Sequence, residues 1–172
     1  RKEQLESAKV LGLKKVTFLG YPDGSLEDDR EFRGKLVEQI RVHRPEVVFT
    51  TDPFRTSFYL HRDHRIAGQV TIDAVFPYAR DLLHYPEHIE DGLKPHKVKQ
   101  IYLWGSENPD TYVDISDTIG LKVRALKCHL SQVGTDSEWD PDPEGAKLRS
   151  KQKPAPKDTS PESVEPYSAS PD

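Results

Sequence analysis

Methionine is absent from the 172 residues, and cysteine occurs once, as Cys128. A single thiol excludes an internal disulfide, so nothing in the sequence calls for an oxidising compartment. No apolar run approaches the ~20 residues that a membrane-spanning helix requires. No leader of basic, apolar and small-residue segments opens the chain either. These absences point to a soluble, cytoplasmic protein. A chain that starts at Arg1 without any Met is expected to be processed or partial.

An excess of charge of one sign is also missing from most of the chain. The formal net charge of −4 resides in residues 135–172, where nine acidic residues face five basic ones. Removing these from the totals of 29 and 25 leaves residues 1–134 with 20 of each sign. A neutral body has no electrostatic footprint for nucleic acid or an anionic membrane. The C-terminal stretch also holds seven of the 14 prolines and little apolar residue. It is expected to be a disordered tail rich in Pro, Ser and acid. The remaining length fits one domain with a core of ordinary size.

The elements follow from periodicity and punctuation. Residues 2–11 read as a helix with Leu5, Ala8 and Leu11 on one face and Gly12 as its stop. Residues 15–19 read as a short strand, ending in the turn Gly20-Tyr21-Pro22-Asp23-Gly24. Asp28 or Asp29 caps a second helix with Phe32, Leu36 and Ile40 inward, and Pro45 closes it. Residues 46–51 carry Val47, Val48 and Phe49 together, as a central parallel strand does. After a loop at 52–60, a longer helix begins near His61 and runs through Val75. A loop over 84–97 follows, then strands near 98–104 and at 111–115. Ser116 caps a last helix bearing Ile119, Val123, Leu126 and Leu130.

This alternation implies an α/β domain with a mostly parallel sheet and crossover helices. Parallel strands at 15–19 and 46–51 are too few for a doubly covered sheet, and the opening helix needs a strand before it. The first strands are therefore expected to be missing from this chain, which favours a partial sequence over a processed one.

In open parallel sheets, ligands bind at the carboxyl ends of the strands. The loop at 52–60 leads from such an end into the densest polar cluster, Tyr59-Leu60-His61-Arg62-Asp63-His64-Arg65. On a helix, His61 and His64 share a face, so one imidazole can bind a metal while the other reaches a substrate. Asp63 can orient an imidazole by accepting its N–H, and its charge suits a helix start. From the residues alone, the pair stays open between a metal site and a solvated or hydrogen-bonded pair. Zinc takes three protein ligands, and this cluster offers one or two. His61-Arg62-Asp63 also spells the kinase catalytic-loop triplet, but that signature needs Asn at position 68, which is Gly.

Taken together, several stretches carry a resemblance. They are Glu3-Gln4-Leu5…Ala8…Leu11-Gly12, Phe18-Leu19-Gly20-Tyr21-Pro22-Asp23-Gly24-Ser25-Leu26, Pro45-Glu46-Val47-Val48-Phe49-Thr50 and His61-Arg62-Asp63-His64-Arg65…Gly68. Pro95-His96-Lys97-Val98, Tyr112-Val113-Asp114-Ile115 and His129-Leu130-Ser131-Gln132 complete the set. In this order and spacing, residues 1 to about 133 resemble the PIG-L/LmbE-like deacetylases.

The resemblance implies a Rossmann-like, three-layer α/β fold over residues 1–134. It also implies a zinc-dependent hydrolase that removes acetyl from an N-acetylglucosamine-type sugar conjugate. By position, His64 would ligate Zn2+. His61 would act as acid or oxyanion stabiliser, steered by Asp63, and Tyr59 would approach the substrate carbonyl. Asp23 would bind sugar hydroxyls. Leu60 and Arg62 stand where the family often has Gly and Pro, and Arg62 joins Asp23 among the substrate-facing candidates. The family's Ala-His-Pro-Asp-Asp motif, with two zinc ligands and the general base, has no match here and is expected upstream. The alternative is a catalytically incomplete remnant or sugar-binding module. Association into a homo-oligomer stays open.

Other polar residues rank lower. His84, His88 and His96 are expected at the surface, His129 to pack or hydrogen-bond at a helix end, and Cys128 to be buried and unreactive. Asp52 is either a site residue or a turn former before Pro53.

Overall fold

The computed structural model describes residues 1–57 and 60–133. Along the chain, the elements are α1 (Lys2–Leu11), α2 (Arg30–His43), β1 (Val47–Thr51), α3 (Arg62–Asp73), a π-type turn (Ala74–Tyr78), α4 (Pro86–Glu90), β2 (Gln100–Trp104), α5 (Ile119–Lys127) and α6 (Leu130–Val133). They group into two compact units. One joins Arg1–Lys14 to the segment from Asp117 onward, and the other is Lys15–Ser116. The expected tail at 135–172 lies outside the described residues.

In the first unit, α1 ends as its sequence dictates. Gly12 adopts φ 69°, and the N–H groups of Gly12 and Leu13 return to the carbonyls of Lys9 and Ala8. Ser7, Ala8 and Ala125 are buried where α1 packs on α5. Small side chains at this contact let the helices approach closely. The Glu3 carboxylate accepts both the N–H and the hydroxyl of Ser131, at 2.8 and 2.6 Å. The Cys128 thiol is half-buried and donates to the Arg124 carbonyl. Ser116 does not cap α5. Its N–H and hydroxyl bond the Asp114 carboxylate instead, and the helix starts after Thr118.

The second unit carries a mixed helix–strand, Rossmann-like arrangement with a parallel sheet. β1 pairs with β2 in parallel, from Val47 opposite Gln100 to Thr51 opposite Trp104. A parallel pair needs a crossover, which α3, the π-type turn and α4 supply. The sequence placed strands at 15–19 and 111–115, and neither forms among the described residues. Alternating apolar residues suit a strand, but a strand exists only where its N–H and C=O groups meet a neighbouring ladder. The partner of β1 is the segment at 100–104. Around 111–115, Tyr112 and Val113 stay 85% and 69% exposed.

The core joins Val37 and Ile40 of α2 to Ala74, Ala79, Tyr85 and Val98, with Leu36 and Val48 packed against it. Asp29 caps α2 by accepting the Phe32 N–H at 2.8 Å. Arg41 on the same helix is 2% exposed. Its guanidinium donates to the carbonyls of Tyr78, Ala79, Asp81, His84 and Tyr85. It thereby organises an irregular segment that has few backbone ladders of its own. The helical path continues from α3 through Ala74 and Val75, as expected, and breaks at Phe76, which precedes Pro77 and adopts φ −147°, ψ 124°. The loop expected at 84–97 contains the single turn α4, which opens with Pro86.

His84, His88 and His96 have local partners. His84 Nδ1 lies 2.7 Å from Asp81, and His96 Nε2 is 2.7 Å from the Pro45 carbonyl. His88 stacks on Tyr85, and its burial lowers its pKa.

A candidate hydrolytic site at the strand tips

β1 and β2 end on the same rung, so the loops that leave Thr51 and Trp104 start side by side. The Asp52 N–H extends the ladder by one bond to the Trp104 carbonyl, at 3.0 Å. The Asp52 carboxylate turns back to the Phe54 N–H at 2.8 Å. This is the turn-forming role expected of Asp52, which also lines the strand-tip cleft. Buried Arg55 locks the turn through the Asp52 carbonyl and the Thr51 hydroxyl.

A close helix–strand contact brings α3 to these tips. A Cβ at Gly68 would lie 2.4 Å from the Thr51 carbonyl oxygen and 3.0 Å from Pro53. Only a residue without a side chain permits this approach. One helical turn earlier, His64 lies on the same face as Gly68.

His61 occupies the N-cap of α3, where Ser, Thr, Asp or Asn is usual. Its Nδ1 accepts the Asp63 N–H at 3.2 Å. Because Nδ1 is the acceptor, the ring proton of this tautomer sits on Nε2. Nε2 faces Asp23, 3.9 Å from its Oδ1. The His61 and His64 rings meet edge to face with centroids 5.5 Å apart, and His64 meets Trp104 in the same way at 6.1 Å. A cleft of about 440 Å³ opens along Trp104, lined also by Asp52, Ser106, Asn108 and Asp110.

The structure gives Asp63 a different partner from the expected imidazole. Its two oxygens accept the N–H groups of Gly24 and Leu26, at 2.6 and 3.2 Å. Asp63 thus ties the Asp23-bearing turn to the start of α3. The His61 ring is oriented by the Asp63 backbone N–H, not by its carboxylate. Burial pushes the Asp63 pKa up, but the two N–H bonds, with His61 and Arg62 nearby, hold it below its ordinary value. Asp23 itself is almost fully exposed. Arg62 bonds the Leu26 carbonyl and lies 4.0 Å from Glu27, so it braces the same turn. Tyr59 lies outside the described residues.

One bracing residue gave no sequence signal. Glu107, three residues past β2, accepts four hydrogen bonds from Thr56 and Ser57 in the other strand-tip loop. A lone Glu in a Ser-Glu-Asn-Pro turn has no motif, and only the fold brings it to residues fifty positions away.

The arrangement does not complete a zinc site. Such a centre takes three protein ligands, and among the described residues no group of three His, Cys, Asp or Glu converges. The imidazoles of His61 and His64 are the donors at hand.

Comparison with known proteins places these features in a lineage. Residues 1–75 match the PIG-L family, described as GlcNAc-PI de-N-acetylase. The chain is 36% identical over 141 residues to a diacetylchitobiose deacetylase of Thermococcus kodakarensis, covering 81% of this chain and 52% of that protein. It is 33% identical over 126 residues to a mycothiol S-conjugate amidase of Streptomyces coelicolor, covering 64% and 42%. Among solved structures, the N,N'-diacetylchitobiose deacetylase from Pyrococcus horikoshii superimposes with a TM-score of 0.75 at 35% identity, covering 82% of this chain and 53% of that one. A conserved protein from Thermus thermophilus gives 0.64 at 29% identity, covering 86% and 61%. The chain spans about half the length of the curated relatives it matches. With a relative of this identity covering four-fifths of its residues, and strand tips and helix start in the same fold, the chain belongs to the PIG-L/LmbE-like deacetylase family.

Proposed function

We propose that this chain forms part of a hydrolase that removes acetyl from the nitrogen of an N-acetylglucosamine-type sugar conjugate. Water adds across the amide, and acetate and a free amine result. The observation that carries it is the His61–His64 pair at the start of α3, with the His64 ring edge-to-face on Trp104, a wall residue of the strand-tip cleft. The relatives are a deacetylase and an amidase, which supports the same bond class.

Each residue has a role in this proposal. His61 donates from Nε2 to the oxygen that gains negative charge, a contribution whose loss costs ~10²–10³ in rate. Its Nδ1 bond to the Asp63 N–H supports that role by leaving the proton on the outward nitrogen. Asp63 holds the Gly24–Leu26 backbone, and Asp23 on that turn meets sugar hydroxyls. Arg62 stiffens the turn from the other side, and Tyr59 approaches the amide carbonyl. His64 is proposed as a zinc ligand.

Amine release from N-acetylglucosamine conjugates, measured on the full-length protein and its His61→Ala variant, tests the proposal. Turnover should fall at least a hundredfold, and undiminished turnover would remove His61 from the mechanism. Zinc content of His64→Ala should drop against the parent, and equal content would sink the ligand assignment. A second reading is a catalytically incomplete remnant or sugar-binding module without turnover. Saturable binding of the conjugate without amine release would establish it.

A further inference from the structure

The loop that leads into His61 is not held by its own strand alone. It is clamped by a single carboxylate from the neighbouring strand's loop. Glu107 Oε1 accepts the N–H of Thr56 at 3.0 Å, and the N–H and hydroxyl of Ser57 at 2.7 Å each. Its Oε2 accepts the Thr56 hydroxyl at 2.8 Å. The four donors come from two adjacent residues, so the carboxylate fixes both the path and the tilt of that backbone. Glu107 also stands between Ser106 and Asn108, both of which line the Trp104 cleft. One side chain therefore joins the cleft wall to the backbone at Thr56 and Ser57, which precede the His61 cap in the chain.

We infer that Glu107 is a positioning residue, whose carboxylate holds the 56–57 backbone so that His61 and the Trp104 cleft keep a fixed mutual placement. The inference rests on the proposed hydrolase reading for its catalytic consequence, but not for the clamp itself. Charge-assisted bonds of this kind are stronger than neutral ones. Each N–H of the pair would otherwise face water at a loop surface. A displacement of about 1 Å at a reacting group costs on the order of a hundredfold in rate, so a clamp of this geometry affects turnover more than affinity.

The chemistry separates two variants. Glu107→Ala removes both acceptor oxygens and with them the four bonds to Thr56 and Ser57. Glu107→Gln keeps one oxygen for the three Oε1 donors, and its amide can donate to the Thr56 hydroxyl where Oε2 accepted. Amide hydrogen exchange at Thr56 and Ser57 reads the clamp with no substrate present. Exchange should quicken about tenfold or more in Glu107→Ala and stay within about threefold of the parent in Glu107→Gln. Deacetylation by the full-length protein reads the consequence. The alanine variant should lose roughly 10–100-fold in kcat with KM within about twofold, and glutamine should restore most of it. Unchanged exchange in Glu107→Ala overturns the clamp, whatever the activity. Faster exchange with unchanged kcat overturns the positioning role. A parent protein without deacetylase activity refutes the hydrolase reading, and the exchange rates still decide the clamp.

Discussion

Replacing Gly68 by alanine tests whether the helix–strand contact sets the site. A Cβ there would stand 2.4 Å from the Thr51 carbonyl oxygen, whereas ordinary contact begins at 3.4 Å, so about 1 Å of separation must open. The obstacle is a backbone carbonyl with the ring of Pro53 behind it, and neither can rotate away. Intrinsic helix preference favours alanine by ~1 kcal/mol. Overpacking opposes it by ~1–3 kcal/mol, and a rigid neighbour puts this case toward the upper end. The net loss is then about 1–2 kcal/mol, or roughly 5–10 °C in Tm for a unit of this size. Urea denaturation followed by tryptophan fluorescence measures it, and the imidazole resonances of His64 report whether α3 has moved. The same shift should carry His64 with it, since positions four apart share a helix face. A Gly68→Ala protein as stable as its parent, with His64 signals in place, would refute the steric reasoning.

Three further outcomes follow from described contacts. Arg41→Leu should cost about 3 kcal/mol or more in urea denaturation, because five carbonyls lose their shared donor in a buried site; a loss below about 1 kcal/mol would show that water replaces it. Asp63→Asn keeps the shape but turns one acceptor into a donor facing an N–H, so amide exchange at Gly24 or Leu26 should accelerate while global stability changes little. The Glu107 pKa, lowered to about 2 by the Ser57 and Thr56 bonds, gives a pH signature. A carboxyl depressed on folding stabilises fully above its ordinary value of 4.5 and loses that contribution as pH falls toward 2. The stability gap between parent and Glu107→Ala should therefore shrink over that window, and a constant gap would contradict the assignment.

Where local pattern and tertiary need coincide, the sequence was a sufficient guide. The Asp29 cap, the Phe32–Leu36–Ile40 face and the Gly12 stop are all short-range signals, and each formed accordingly; the apolar run at 47–49 also formed a strand, but with Phe49 66% exposed it is not buried on both faces as a central strand would be. The start of α3 at His61 was legible for the same reason. Strand pairing is not local, so residues 15–19 read as a strand although β1 pairs with β2. No spacing rule marks Arg41 on α2 as buried, because the 78–85 carbonyls that take its guanidinium lie 37 to 44 positions away. In the site, the closeness of His61 and His64 followed from helical spacing. The Asp63 partners, the Trp104 edge and the Glu107 clamp span 37 to 51 positions, and no spacing rule reaches that far. Family membership came from motif order; the contacts between the motifs came from the fold.

The flush ending of the two strands has an evolutionary consequence. Side chains alternate between faces at every residue, so inserting or deleting one residue within 47–51 or 100–104 would send Phe49 or Tyr102 through the sheet and stagger the two departure points. Length changes that preserve chemistry are therefore confined to the stretches after Thr51 and Trp104. Relatives with different substrates should differ there in loop length while keeping both five-residue rungs intact.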